Sequence, residues 1–208
     1  MSDRLDGVVD AAAPLLRRAG EVLTATGAPA EHDVWPALRR VRLLPWEAVN
    51  AVAALRPGDL TDAAPELRAH AETCAAAAES TPPPEGWSGT AADAYDRARH
   101  HAATHLSGEG DSVEARLTAT ARLAEDLVTW MSEARANLAA TLAEILTSAE
   151  GLALSPQATP ERIDLASETE AEAAADVAAR VLHSVAATYA AATDMMSASE
   201  HLTEVRWS

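Results

Sequence analysis

Two alanine-rich runs of helical periodicity are separated by Pro82-Pro83-Pro84-Glu85-Gly86-Trp87-Ser88-Gly89-Thr90, and this segment obliges the chain to turn. Three consecutive prolines end the preceding helix, because each lacks an N–H donor and pushes its predecessor out of the α region. Gly86 and Gly89 tolerate positive φ and close backbone approach. Ser88 or Thr90 can accept the free N–H groups of a following helix, with Asp93 completing a capping box if Thr90 is the cap. A helix is therefore expected to start by about Ala91. Trp87 is expected to lie buried across the mouth of the hairpin, against the turns on either side, which would stabilise it by ~2 to 3 kcal/mol. An indole left in solvent would instead mark a contact for another chain. Tyr95 lies two turns further on, close to the same face, and once buried its hydroxyl needs a partner.

The rest of the sequence reads as helix. There is no Phe, there are two Tyr, and the apolar content is mostly Ala, Leu and Val, which suits helices that approach closely through small residues. All 16 basic residues are Arg, a bias that together with abundant Ala suits a GC-rich genome, such as an actinobacterial one. The formal charge of −16 argues against nucleic acid or an anionic membrane surface as partner, since both would repel the chain. Proteins are the expected partners. No apolar run approaches the ~18 residues of a membrane span. The start, Met1-Ser2-Asp3-Arg4-Leu5-Asp6, lacks the basic and apolar regions of a Sec signal.

Leu5, Val8, Val9, Ala12, Leu15, Leu16, Ala19, Val22 and Leu23 form one face of a first helix, ended by Gly27 and Pro29. A second segment should turn Trp35, Leu38, Val41 and Leu44 inward, and Pro45 should restart the helix before Trp46, Val49, Val52 and Leu55. Arg39, Arg40 and Arg42 form a basic patch in an acidic protein, read as a solvated face pairing with acids elsewhere. A helix from about Asp62 to Ser80 leads into the turn, and it places Cys74 on the apolar stripe Leu67, Ala71, Cys74, Ala78 as a buried packing residue. The return helix should be interrupted at Gly108 and Gly110. From Asp111 to Glu150 the stripe of Val113, Leu117, Ala121, Ala124, Val128, Met131, Leu138, Leu142 and Ile145 predicts a rod of ~60 Å, which needs a partner over most of its length. Gly151 and Pro156 should end it. Ser167-Glu168-Thr169-Glu170 has capping-box spacing for a last helix to about Leu202, with Ala174, Val177, Val181, Val185 and Tyr189 on its stripe. The two long helices should pack as an antiparallel hairpin.

Little in the sequence carries chemistry. His100, His101 and His105 have ligand-like spacing, but a third ligand is not marked, and a solvated face is the better reading. There is no G-x-S-x-G, no glycine-rich phosphate loop, no HExxH and no CxxC. No catalytic residue, metal or cofactor is expected, and the chain does not read as an enzyme.

Helix, Trp-x-Gly turn, helix is the hallmark of the WxG family of type VII (ESX) secretion substrates and associated proteins, and residues 60 to 106 resemble it. The matching residues are Gly86-Trp87-Ser88-Gly89, then Ala91, Ala92, Ala94 and Tyr95, with the helix around Leu67 upstream. The long helices after the motif resemble PPE-type members in layout. The resemblance implies an all-α, elongated helical bundle with a helix-WxG turn-helix hairpin and a long antiparallel helical pair. It divides the chain into an N-terminal helical segment, 1–58, and the hairpin with its long-helix bundle, 59–208, in one continuous structural unit. Function would be export through a type VII system, as substrate or export partner, with Trp87, Gly89 and Tyr95 as the interaction motif. The partners implied are another WxG-type protein, a second copy in a dimer, and the export machinery. One departure favours an alternative, a cytoplasmic adaptor or chaperone for secreted WxG proteins or toxins. The family's secretion signal is a tyrosine followed four residues on by an acid, whereas here Arg99 follows Tyr95 and Thr193 follows Tyr189.

Overall fold

Alanine, leucine and valine at three- and four-residue spacing give helices throughout the described chain, and the fold is all-α. The computed structural model describes residues 4–108, 110–155 and 168–199, and no strand occurs among them. The helices are α1 (Arg4–Thr26), α2 (Val34–Val41), α3 (Pro45–Ala53), α4 (Ala63–Ser80), α5 (Thr90–Leu106), α6 (Val113–Thr147), α7 (Ala149–Ala153) and α8 (Glu168–Ser199). A 3-10 turn, Pro57–Leu60, links α3 to α4. They assort into two compact units, with the chain passing from one to the other after Arg56, after Thr129 and after Asp194. Residues 1–56 thus share a unit with the second half of α6 and most of α8.

In the first unit α8 is the most enclosed element. Ala173, Ala174, Ala175, Val177, Ala178, Ala179, Val181 and Leu182 are all buried, so it is covered on several faces. Against it α1 lays down the stripe predicted for it, with Leu5, Val9, Ala12, Leu15, Leu16, Ala19 and Val22 buried. α6 adds Leu138, Leu142 and Ile145 to the same core. Each such fully buried Leu, Ile or Val side chain contributes about 1.5 to 3 kcal/mol. Two contacts fix the sense of α6 relative to α8 here. Trp130 Nε1–H donates to the Thr188 carbonyl at 3.1 Å, and Arg180 Nη2 pairs with Glu144 at 3.3 Å. Residue numbers rise along one helix as they fall along the other, so this stretch is antiparallel.

A buried cation ties three helices of this unit together. Arg135 on α6 is only 5 % exposed. Its Nη1 donates to the carbonyls of Ala53 (2.6 Å) and Leu55 (3.0 Å) at the C-terminal end of α3, and its Nη2 to Asp6 Oδ1 of α1 at 2.8 Å. A guanidinium is suited to this, because it supplies several donors in fixed geometry to carbonyls a helix end leaves unpaired.

Three expectations about this unit need correction. Trp35, Leu44 and Trp46 do not point inward; they are 37 %, 61 % and 41 % exposed. An eight-residue helix such as α2 buries one stripe, and Val34, Ala37 and Val41 take it. Trp35 stays outside, its Nε1–H held by the Pro29 carbonyl at 2.8 Å. Arg42, at φ 58°, then ends α2 in the left-handed region, and α3 turns Ala48, Val49 and Val52 inward. Secondly, α6 stops at Thr147 and Gly151 lies inside α7. Ser148 caps α7 by accepting from Gly151 N–H at 3.1 Å, and Gly151 is needed there because a Cβ would collide with the Ile145 carbonyl oxygen. Thirdly, the acidic and basic faces do not neutralise one another as expected: among the described residues Arg39, Arg40 and Arg42 have no carboxylate partner. The predicted Ser167 cap and Leu202 lie outside the described residues.

The second unit holds α4, α5, the first part of α6 and the end of α8 from Met195. α4 and α5 pack against each other. Ala63, Ala64 and Leu67 of α4 meet Ala121 and Ala124 of α6, and Arg68 pairs with Glu125 beside them. The break between α5 and α6 falls where the glycines placed it, with Gly108 and Gly110 at φ 146° and 84°. Ser112 starts α6, accepting from Ala115 N–H at 3.2 Å. The buried apolar side chains described in this unit are alanines: Ala64, Ala71, Ala92, Ala121 and Ala124. Leu67, Leu117, Leu123, Leu127 and Cys74 are only half-buried. Cys74 is therefore not the buried packing residue its stripe suggested.

Candidate functional site: the tip of the α4–α5 hairpin

The turn is built from the backbone outward. After α4 the chain turns tightly: Glu85 N–H donates to the Pro83 carbonyl at 2.8 Å and Trp87 N–H to the Pro84 carbonyl at 3.3 Å. Gly86 sits third in this four-residue turn at φ 76°, the sign a type II turn demands there. Gly89 is the N-cap of α5 at φ 85°, ψ −171°, a region open essentially to glycine alone. Its carbonyl accepts the first helical bond, from Asp93 N–H at 3.2 Å. The cap expected from Ser88 or Thr90 does not form, since no side chain bonds the first turn of α5. The two glycines of the motif thus have separate jobs. One makes the turn, and the other lets α5 begin abruptly behind the tryptophan.

Trp87 is 60 % exposed, which corrects the expectation of a buried clasp. The reason is local: α4 and α5 flank the turn with alanines such as Ala77, Ala78, Ala91 and Ala94, too short to wall in an indole. Among the described residues Tyr95 alone makes a ring contact with it, at a centroid distance of 5.4 Å and an interplanar angle of 48°. Tyr95 is itself half-buried and anchored, its hydroxyl donating to the Pro82 carbonyl at 3.0 Å. The hydroxyl partner that the sequence required is therefore the polyproline backbone before the turn. Of the three motif residues, Trp87 and Tyr95 meet ring to ring, and Gly89 shapes the backbone between them.

The other sequence candidate resolves into a local network. His100 Nδ1 lies 2.7 Å from the Asp96 carbonyl and 3.3 Å from Asp96 Oδ2, and Asp96 also pairs with Arg99. His101 and His105 are exposed. Among the described residues no three His, Cys, Asp or Glu side chains form a metal-sized group, and no helix is long and apolar enough to cross a membrane. The perturbed titrating groups of this unit are Arg68 and Glu125. The hydrogen bond between them holds the Glu125 carboxyl below its usual range and raises the Arg68 guanidinium.

Compared with known proteins, the chain matches no family model, no curated protein and no solved structure at a significant level.

Proposed function

We propose that this chain is a non-enzymatic protein of type VII (ESX) secretion, a WxG-type secreted substrate or export partner that works by presenting the α4–α5 hairpin to another protein. The observation that carries the reading is Trp87, whose indole is mostly in solvent while Tyr95 and the glycine-shaped turn hold it still. A pre-ordered, exposed aromatic loses little freedom on binding and gains the desolvation that makes Trp a frequent hot spot. The thin alanine core of the second unit supports the same reading, because helices with so little buried surface gain most from a partner that covers their half-buried leucines. That partner is another WxG-type helical protein or a second copy, together with the export machinery.

A second reading, a cytoplasmic adaptor or chaperone for WxG proteins or toxins, is favoured by one observation. No acid stands four residues after Tyr95 or Tyr189, although Asp194 stands five after the latter. Cell fractionation with and without the export ATPase separates the two: a substrate leaves the cell only when the ATPase is present, and an adaptor stays inside in both. The common part is tested by pull-down from the source organism with wild-type and Trp87→Ala protein. Partners held by the wild type alone, with unchanged helicity by circular dichroism, support hairpin recognition. Identical partners on both forms remove the hairpin from the functional account.

A further inference from the structure

The segment between α1 and α2 closes on one histidine. Two amides in the first turn of α2, those of Val34 and Trp35, have no acceptor within the helix; Pro36 has no N–H, and Ala37 N–H reaches the Asp33 carbonyl at 3.3 Å. Asp33 stands at the N-cap, but its side chain makes no capping bond. His32 takes both amides instead. Its ring Nδ1 accepts from Val34 N–H at 3.1 Å, and its carbonyl accepts from Trp35 N–H at 3.2 Å. The other ring nitrogen, Nε2, lies 3.1 Å from Asp176 Oδ1 on α8. The side chain is 13 % exposed, and Val34 beside it is buried. Because Nδ1 accepts, it carries no proton; because a carboxylate only accepts, Nε2 carries one. The contacts therefore specify the neutral ring in a single tautomer.

We propose that His32 is a pH-sensitive latch between α2 and α8. Histidine is the side chain that ordinarily changes charge between about pH 5 and 8. A second proton goes to Nδ1, where it meets Val34 N–H donor to donor, and a cation there also opposes the positive end of the α2 helix. The Nε2–H bond to Asp176 survives and becomes charge-assisted. Protonation thus keeps the ring on α8 and releases the first turn of α2. The surface residue this moves is Trp35, second in that turn and 37 % exposed. Its Nε1–H is held at 2.8 Å by the Pro29 carbonyl, which also accepts from His32 N–H at 3.1 Å. Other charged groups share these surroundings. Glu31 and Arg39 line the depression in which His32 lies, and Asp33 follows it in sequence. Glu172 and Arg180 stand one turn either way from Asp176 on α8, and α1 brings Arg17 and Glu21 to the trough that Trp35 also lines. Carboxylates ordinarily titrate near pH 4 and guanidinium groups above about pH 12, so between about pH 8 and 5.5 the ring is the group here that changes charge.

The test is NMR of the full isotope-labelled chain, titrated from about pH 8 to 5.5. Long-range proton–nitrogen spectra read the ring nitrogens, and at the upper end His32 should be the Nε2–H tautomer. As the ring takes its second proton, the Val34 amide and the Trp35 indole N–H should shift with the same midpoint. Protection of Val34 N–H against solvent exchange should fall about tenfold, the share of one lost hydrogen bond. Circular dichroism should stay constant, since one turn alone is released. In His32→Asn the side-chain oxygen can still accept from Val34 N–H, the amide two residues on, and it has no proton to gain. Both signals should then stay in place over the whole range. Should that variant misfold, the wild-type titration decides by itself. The Nδ1–H tautomer at the upper end, a ring that stays neutral throughout, Val34 and Trp35 signals that stay put while the ring protonates, or the same shifts in folded His32→Asn would each overturn the proposal. The hairpin variant Trp87→Ala should titrate as the wild type does, which keeps this test separate from the one for hairpin recognition.

Discussion

Trp87 is 60 % exposed beside the Tyr95 ring, so its removal should cost stability little. An aromatic pair of this kind contributes ~0.5 to 1.5 kcal/mol. Trp87→Ala is expected to lower the melting temperature by no more than a few degrees, measured by circular dichroism, while partner binding is lost. Gly89→Ala should do the reverse damage. Its backbone sits where a Cβ is strained by about 1 to 3 kcal/mol, so α5 should fray at its start and hydrogen exchange of the Asp93 amide should quicken. Arg135→Met is the severe residue-scale change, since it removes the buried cation that bonds the carbonyls of Ala53 and Leu55, which Arg56 also reaches, and the carboxylate of Asp6. A loss of about 3 kcal/mol in denaturant unfolding is expected, and an Asp6→Asn/Arg135→Met pair should recover part of it. The glycine requirement was legible in the sequence, because the backbone need travels with the residue. The role of Arg135 was not, because its partners lie about eighty and more residues away.

At the level of elements, α4 is joined to α6 by a small alanine contact and one ion pair, Arg68 with Glu125. The Glu125 carboxyl is depressed from its ordinary value of 4.5 chiefly by the Arg68 hydrogen bond. A group whose folded pKa is lowered stabilises the fold above its unfolded pKa and loses that contribution as the pH falls through the folded value. Arg68→Gln should therefore melt below the wild type at neutral pH, and the gap should close below about pH 4.5. A gap independent of pH would mean that the side chains matter by packing alone. The helices themselves were readable from the spacing of apolar residues, and the interruption at Gly108 and Gly110 from their identity. The end of α6 was displaced from its expected place because Ser148 caps a new turn whose Gly151 fits under the Ile145 carbonyl, a contact no local pattern announces.

For the whole molecule the dominant quantity is charge. At −16 the chain repels itself, and salt screens that repulsion. Raising ionic strength from about 10 to 150 mM, which shortens the Debye length from ~30 to ~8 Å, should raise the melting temperature at neutral pH. A fall would show that ion pairs such as Arg135–Asp6 outweigh the net repulsion. In a protein so rich in carboxylates, Arg17, Arg39, Arg40 and Arg42 are conspicuous for having no carboxylate partner among the described residues.

By itself the sequence determined that the chain is helical, where it must turn, and which residues share a face. Those properties follow from the 3.6-residue period, from proline's missing donor and from glycine's freedom at positive φ. Only the tertiary structure decided which face of each helix is covered. Trp35, Trp46 and Trp87 all read as core by size and spacing and all lie at the surface. Periodicity states that a stripe exists, whereas burial needs a second element long enough in side chain and near enough in space to cover it. In the first unit Val34, Ala37 and Val41 claimed that cover. At the hairpin the flanking alanines could not provide it, and the indole was left to Tyr95 and to solvent.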